Sequence, residues 1–290
     1  DGSRFTDKAG WETMEFKQQC SNRDPRLAQT IRTPGYTRIG ATTKLAPDLA
    51  NSITGYHVVK FVTGTAQDAY NKSFNDLPIF RSAEVYLNFA EAKAELGTLT
   101  QEDIDLAIKP LRDRAGVANL SLTKANASPD PYLASPETGY ANVTGDNKGV
   151  ILEIRRERTV ELPCEGLRQW DMLRWKEGAQ LVPSSNGLDG FLGCYFPSLG
   201  EYDMNGDGKM DLCLWSGTKP ATTCDAMLEI GEGKDAQLTE GTSGYIVCFR
   251  GRTYKWEEGR DYLWPIPTDQ RVATGGALSQ NPGYEDGLSF

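Results

Sequence analysis

Residues 80–96 read FRSAEVYLNFAEAKAEL, and the spacing of their apolar side chains decides the fold class. Ala83, Leu87, Ala90 and Ala94 recur at the period of one helix face. Val85, Phe89, Ala92 and Leu96 make a second stripe, so the spacing predicts a helix buried on two sides. Gly97 stops it. Thr100, with Glu102 and Asp103 in the next turn, gives a capping-box-like start to a second helix. Along it Ile104, Ile108, Leu111 and Ala115 repeat at helical spacing until Gly116. Pro110 lies inside and predicts a kink, because proline removes a backbone donor and crowds the preceding turn. The pair forms an αα-hairpin of about 34–37 residues, close to one tetratricopeptide unit; one unit does not support a free-standing repeat array, since about three are needed to bury a continuous core.

A second helical pair is expected at about 148–162 and 166–180. Its sequence from 151 to 178, ILEIRRERTVELPCEGLRQWDMLRWKEG, interleaves Glu153, Glu157, Glu161, Glu165 and Asp171 with Arg155, Arg156, Arg158, Arg168 and Arg174. Such acids are either a carboxylate pair for acid–base catalysis or ion pairs between packed helices. Ion pairing is favoured, because each acid has an arginine at helical reach that holds it ionised.

Outward from these helices the periodicity fades. Residues 1–79 read as irregular, mostly extended chain with turns at Arg23-Asp24-Pro25 and Thr33-Pro34-Gly35. Residues 117–147, rich in Pro, Ser, Asn, Thr and Gly, are expected to form a long surface connection. From Val182 to Phe290 the chain is again loop-rich, with a hairpin expected between Tyr245–Phe249 and Thr253–Trp256.

The chain has 290 residues, 39% hydrophobic and 24% charged, a composition of globular rather than disordered or fibrous proteins. Its net charge of −9 opposes nucleic acid and anionic lipid faces. No run approaches the 18 or so apolar residues of a membrane span. The polar start DGSRFTDKAG implies that any targeting segment is removed or lies outside this chain. The single histidine, His57, excludes HExxH peptidases and three-His zinc sites and reads as an ordinary strand or loop residue. Six cysteines occur without a CxxC, so no zinc ribbon or thioredoxin-like pair is written here. Cys194, Cys213 and Cys224 share one loop-rich stretch where a disulfide is expected, with partners left open. Neither GxxxxGK[ST] nor GxSxG occurs.

One short motif is sharp. Residues 203–211 read DMNGDGKMD, placing oxygen side chains of Asp203, Asn205, Asp207 and Asp211 at positions 1, 3, 5 and 9, with the Lys209 carbonyl at position 7. A hard cation of calcium's size needs such a set and a glycine for the turn. Leu214 stands where an EF-hand has its bidentate glutamate, which argues against a helix-loop-helix sensor. The expectation is structural Ca2+ pinning a loop.

Four ordered segments together resemble the SusD/RagB family. FRSAEVYLNFAEA at 80–92 is similar to its "R-x-AEVYLNYAEA" helix. RRER at 155–158 through Glu161, then EGLRQWDMLRW at 165–175, is similar to its "ERR-x-EL-x-FEGHRW-x-DLRRW" block. Pro265-Ile266-Pro267 with QNPGY at 280–284 resembles its closing "PIP…QNPGY", and NRDPRL at 22–27 its "RDPRL" segment. Gln169 and Pro110 depart from the pattern at packing positions.

The resemblance implies a mainly α fold of tetratricopeptide-like helical hairpins with large irregular loops and a few short strands. It implies that residues 1–290 are the C-terminal part of a single SusD-like domain, with a helical-hairpin core at about 80–180 and a ligand-facing, calcium-loop region at about 181–290. It further implies a surface-exposed outer-membrane lipoprotein of Bacteroidetes, anchored by lipid outside this chain. Such a protein works in nutrient uptake and polysaccharide utilization, binding glycan without cleaving it and delivering it to a SusC-like TonB-dependent transporter.

The ligand residues do not follow from the resemblance. A sugar site needs exposed aromatic platforms plus polar groups, since sugar C–H faces stack on rings while hydroxyls need donors and acceptors. The loop aromatics Trp11, Tyr36, Tyr195 and Trp215 are the candidates; Trp170 and Trp175 sit on the packing helices. Two competing readings are a glycoside hydrolase with paired carboxylates and a helical-repeat scaffold that binds protein.

Overall fold

Two hydrophobic cores organise the chain, one between helices and one among short strands. The structure is a computed structural model, and it describes residues 3–76, 78–181, 184–185, 188–189, 191–248, 255–285 and 287. In chain order the helices are α1 (Phe16–Gln19), α2 (Arg26–Thr30), α3 (Ser82–Glu95), α4 (Gln101–Ala107), α5 (Lys109–Ala115), α6 (Leu122–Ala127), α7 (Pro131–Ala134), α8 (Lys148–Glu161), α9 (Arg168–Arg174) and α10 (Thr268–Ala273). The strands are β1 (Ser184–Ser185), β2 (Leu188–Asp189), β3 (Leu192–Phe196), β4 (Gly200–Tyr202), β5 (Leu212–Trp215), β6 (Ala226–Glu229) and β7 (Gly244–Val247). No helix among the described residues is long and apolar enough to cross a membrane.

The expected first helix is α3. Its Ala83, Leu87, Ala90 and Ala94 are buried against α8 and α4. The second stripe is not buried as expected: Val85 is 65% exposed, Phe89 38% and Leu96 75%. Apolar spacing reports that a face is suited to packing, and among the described residues only one face has a helix to pack on. The expected second helix is split. Thr100 accepts from Asp103 N at 3.2 Å while Asp103 accepts from Thr100 N at 2.9 Å, so α4 starts on a capping box. It ends at Ile108, and Pro110 falls in the first turn of α5, where its missing N–H is harmless. Gly116, at φ +69°, caps α5 in the left-handed region.

The stretch 117–147 is not a plain surface connection. It contains α6 and α7, and Leu120, Ala125, Tyr140 and Val143 are buried in the helical core. Composition concealed this because short helices need few apolar residues. Gly149 is required where α6 meets α8: a Cβ there would lie 1.9 Å from the Ala125 carbonyl oxygen.

The acids and arginines of α8 and α9 form ion pairs between elements, as their interleaving implied. Glu161 accepts from Arg26 at 3.0 Å, Arg81 at 2.9 Å and Arg114 at 2.7 Å. Glu157 accepts from Arg26 at 2.6 Å and Arg112 at 2.7 Å. Arg158 pairs with Asp171 at 2.5 Å and donates to Asn88 at 2.6 Å, tying α8 to α9 and α3. Glu91 of α3 accepts from Arg174 Nη2 at 2.7 Å and from Trp175 Nε1 at 2.6 Å. Burial pushes the Glu91 carboxyl up, but those hydrogen bonds outweigh it and hold the group below its usual range. Trp175 is buried as expected for a packing helix, whereas Trp170 is exposed.

The second core joins the N-terminal segment to the strands through Phe16, Ile31, Leu49, Phe196, Leu212, Leu238 and Ile246. β4 and β5 pair antiparallel and β5 and β6 parallel; β3 and β7 pair antiparallel with an irregularity between Leu192 and Tyr195. The hairpin expected over Tyr245–Trp256 falls partly outside the described residues. All six cysteines are free, so the disulfide expected among Cys194, Cys213 and Cys224 is absent. Cys194 instead packs as a small apolar group, and burial pushes its thiol up to about 12. His57 is a loop residue whose Nδ1 accepts from Asp48 N at 3.2 Å.

Candidate functional site

A cavity of about 520 Å³ opens on the seam between the two cores. Its walls carry Phe5, Trp11, Tyr56, Tyr132 and Tyr245, with Asp130, Arg156, Arg23 and Glu12 among them and Leu27, Ile31 and Val160 beneath. The rings come from distant parts of the chain. Trp11 opens a 3-10 turn at Trp11–Thr13, entered through Gly10 at φ +70°. Tyr132 stands in the first turn of α7.

Asp130 fixes that turn. Its Oδ1 accepts from Tyr132 N at 2.9 Å, and Pro131 follows it at the first helical position, where a missing N–H does no harm. Its Oδ2 pairs with Arg156 of α8, with Arg4 at 3.5 Å. One buried carboxylate thereby caps α7 and ties it to α8. Tyr132 then meets Trp11 edge-on, centroids 5.5 Å apart at 89°, and Trp11 meets Phe5 at 6.2 Å. From the strand side, the Tyr245 hydroxyl donates to the Glu12 carbonyl, and Tyr195 packs edge-on against Tyr245 at 5.2 Å. At the floor, the Tyr56 hydroxyl donates to Gln19 Oε1 at 2.7 Å. Burial raises the Cys20 thiol there to about 11, so it is no nucleophile at neutral pH.

Of the four aromatics singled out in the sequence, only Trp11 lines the cavity. Tyr195 stands behind Tyr245. Tyr36 sits apart under Arg32, whose guanidinium lies 5.7 Å from its ring, and Trp215 ends β5, half-buried. Of the expected ligand-facing region at about 181–290, Tyr245 lines this cavity, whose other walls come from residues 5–56 and 130–160. Phe5, Tyr56, Tyr132 and Tyr245 were missed. The Asp130-Pro131 pair, a helix-start signal, was the one cue that could have placed Tyr132 on an ordered turn; nothing local marks the others.

The Asp203–Asp211 loop lies on the strand side. Asp203 accepts from Gly206 N at 2.6 Å, Gly208 N at 3.1 Å and Lys17 Nζ at 3.0 Å. Asn205 Oδ1 accepts from Asp207 N and Asp207 Oδ1 from Lys209 N, both at 2.8 Å. Asp211 turns inward to accept from Met204 N at 2.8 Å and from Asn205 N at 2.9 Å. Burial pushes the Asp211 carboxyl up, the Asn205 and Met204 amides partly offset this, and the charges of Asp203 and Asp207 push it further. Among the described residues no three Asp, Glu, His or Cys side chains converge closely enough to hold a metal ion, so the donor set is present in kind but not gathered.

The profile of the SusD family matches residues 1–284. Among solved structures, a SusD-like protein from Bacteroides fragilis superposes with a TM-score of 0.52 at 20% identity over 91% of this chain and 40% of its own. A second, described as a SusD-like carbohydrate binding protein of the same organism, gives 0.49 at 22% identity over 93% of this chain and 44% of its own. The chain therefore spans less than half the length of these structures. No curated protein matches it. With the family profile covering nearly every residue and the fold shared with a solved member, the chain belongs to the SusD family.

Proposed function

We propose that the chain binds a glycan without cleaving it, in the aromatic cavity between its two cores, and does so at the cell surface for delivery to a SusC-like TonB-dependent outer-membrane transporter. The observation that carries the binding is the set of rings. Trp11 and Tyr132 stand perpendicular beside Phe5 and Tyr245, which offers apolar faces for sugar C–H groups, with polar atoms at the edges for hydroxyls. Delivery, the lipid anchor, the surface location and the tetratricopeptide-like nature of the helix pairs belong to this proposal through the family resemblance.

The hydrolase reading lacks its second carboxylate. Of the cavity's acids, Asp130 has both oxygens engaged, by Tyr132 N, Arg156 and Arg4. It is therefore not free to protonate a glycosidic oxygen, and Glu12 alone cannot supply the pair. Retention on polysaccharide affinity gels and oligosaccharide calorimetry test the proposal. The expected result is binding without release of reducing ends, weakened about tenfold or more by Trp11→Ala. Reducing-end release, or binding indifferent to both Trp11→Ala and Tyr132→Ala, overturns it.

Calcium in the Asp203–Asp211 loop is a second proposal, structural in role. It is supported by the mutual repulsion of Asp203, Asp207 and Asp211, which a divalent cation would relieve once Asp203 lets go of Lys17.

A further inference from the structure

The cavity's charged lining is balanced, two arginines against two acids, in a chain that is acidic overall. The chain carries −9 overall, and Arg23 and Arg156 line the same 520 Å³ space as Glu12 and Asp130. Of the two acids there, Asp130 is engaged by Arg156, Arg4 and a backbone N–H. Glu12 is exposed, and its backbone carbonyl takes the Tyr245 hydroxyl. Arg23 makes no ion pair among the described residues. Its Nη1 donates to the Gln19 carbonyl at 2.9 Å, and its plane lies over Phe5, 4.0 Å from the ring centroid. Arg156 already pairs with Asp130 and, at 3.4 Å, with Glu153, so its charge is compensated, while its Nε is shielded from solvent without a hydrogen-bond partner.

A guanidinium held by a ring and one carbonyl is already oriented, so it loses little freedom when a ligand arrives, and its remaining N–H groups form a fork that fits a planar or tetrahedral anion. A neutral sugar would use the rings and leave that fork idle. We propose that the cavity selects an anionic glycan, one whose ring bears a carboxylate or a sulfate. The sugar face rests on Trp11 and Tyr132, and the anion meets the unpaired guanidinium of Arg23. This inference rests on the glycan reading above and deepens it.

Calorimetry at fixed ionic strength on three trisaccharides tests it: a uronate, its carboxyl-reduced counterpart and a sulfated one. At least one charged sugar is expected to bind about tenfold or more tighter than the reduced one. That preference is expected to shrink below about threefold in Arg23→Gln and to be only partly restored in Arg23→Lys, which keeps charge but loses the fork. A uronate preference alone identifies a carboxylate, a sulfate preference alone a sulfate, and both together the shared anionic chemistry. Equal binding of all three, or a preference that survives Arg23→Gln, overturns this inference while the glycan reading stands. Failure of every sugar, charged or neutral, overturns both. Thermal melting of Arg23→Gln alongside the wild type separates lost selectivity from lost folding.

Discussion

The helices of residues 82–174 and the short strands of residues 192–247 flank one cavity, but they are held together by different means. In the helical region buried acids meet arginines from other elements, so that Glu157, Glu161, Glu91 and Asp171 each bridge two or more pieces of chain. In the strand region the buried groups are mostly apolar side chains and free thiols, and the acids of the 203–211 loop, buried Asp211 among them, are held by backbone amides and Lys17 with no arginine partner among the described residues. The difference separates structure from chemistry. Carboxylates saturated by guanidiniums are struts, and under the proposed function the groups left to meet a ligand are the rings and Arg23 on the seam.

The largest effect should come from a strut. Glu161 is 4% exposed and takes bonds from Arg26, Arg81 and Arg114. Glu161→Gln leaves Arg114 without an ion pair among the described residues and takes one acid partner each from Arg26 and Arg81, and removing one partner of a buried ion pair costs about 3–5 kcal/mol. Urea unfolding of the two proteins measures it. A loss under about 1 kcal/mol would mean that packing, not the ion network, joins these helices.

The two stripes of α3 sharpen the comparison within one helix. Leu87 is fully buried and Phe89 lies on the open face. Leu87→Ala should lose about 2–5 kcal/mol, while Phe89→Ala should stay within about 0.5 kcal/mol, as for exposed sites generally. Matching losses in denaturant melts would show that the Phe89 face is covered in solution.

These helices were also the legible part of the sequence. Repeats at 3.6 residues and an acid–arginine interleaving are local signals, so α3, α8 and the pairing of their charges could be read directly. Whether the second stripe of α3 meets a partner could not be read, because partnership is a property of the assembled molecule. The cavity was hardly legible for the same reason. Trp11 and Tyr132 are 121 positions apart in the sequence, and only the capping of α7 by Asp130 and the anchoring of Arg156 in α8 bring them edge to edge. Tyr36 and Trp215 carry the same loop signal as Trp11 and sit elsewhere.

On the strand side, calcium is the sharper probe. Loops of extracellular modules bind at about 0.1–1 mM, so 10 mM CaCl2 should stabilise the protein by about 1–3 kcal/mol through mass action. Magnesium should do less, because it demands a tighter octahedron. Asp207→Ala should abolish the gain. Thermal melts in calcium and in EDTA that coincide would leave the loop as a turn held by its own amides.

The smallest effect is a slope in pH, and it returns to the helical struts. The Glu91 carboxyl is held below its usual value of 4.5 by Arg174 and Trp175 against the pull of burial. The folded state therefore binds that proton less readily than the unfolded chain, and the stability Glu91 contributes is present above pH 4.5 and lost as pH falls through its depressed value. Glu177 has the opposite sign: burial raises its carboxyl, with the Asn142 amide and Arg155 offsetting part of the rise. Its contribution is a loss of stability as pH climbs from 4.5 toward the raised value. Urea midpoints across pH 3 to 7 should show Glu91→Gln flattening the acid limb and Glu177→Gln flattening the fall on the other side. An acid limb unchanged in Glu91→Gln would mean that Arg174, which is 44% exposed, shares its charge with solvent rather than with α3.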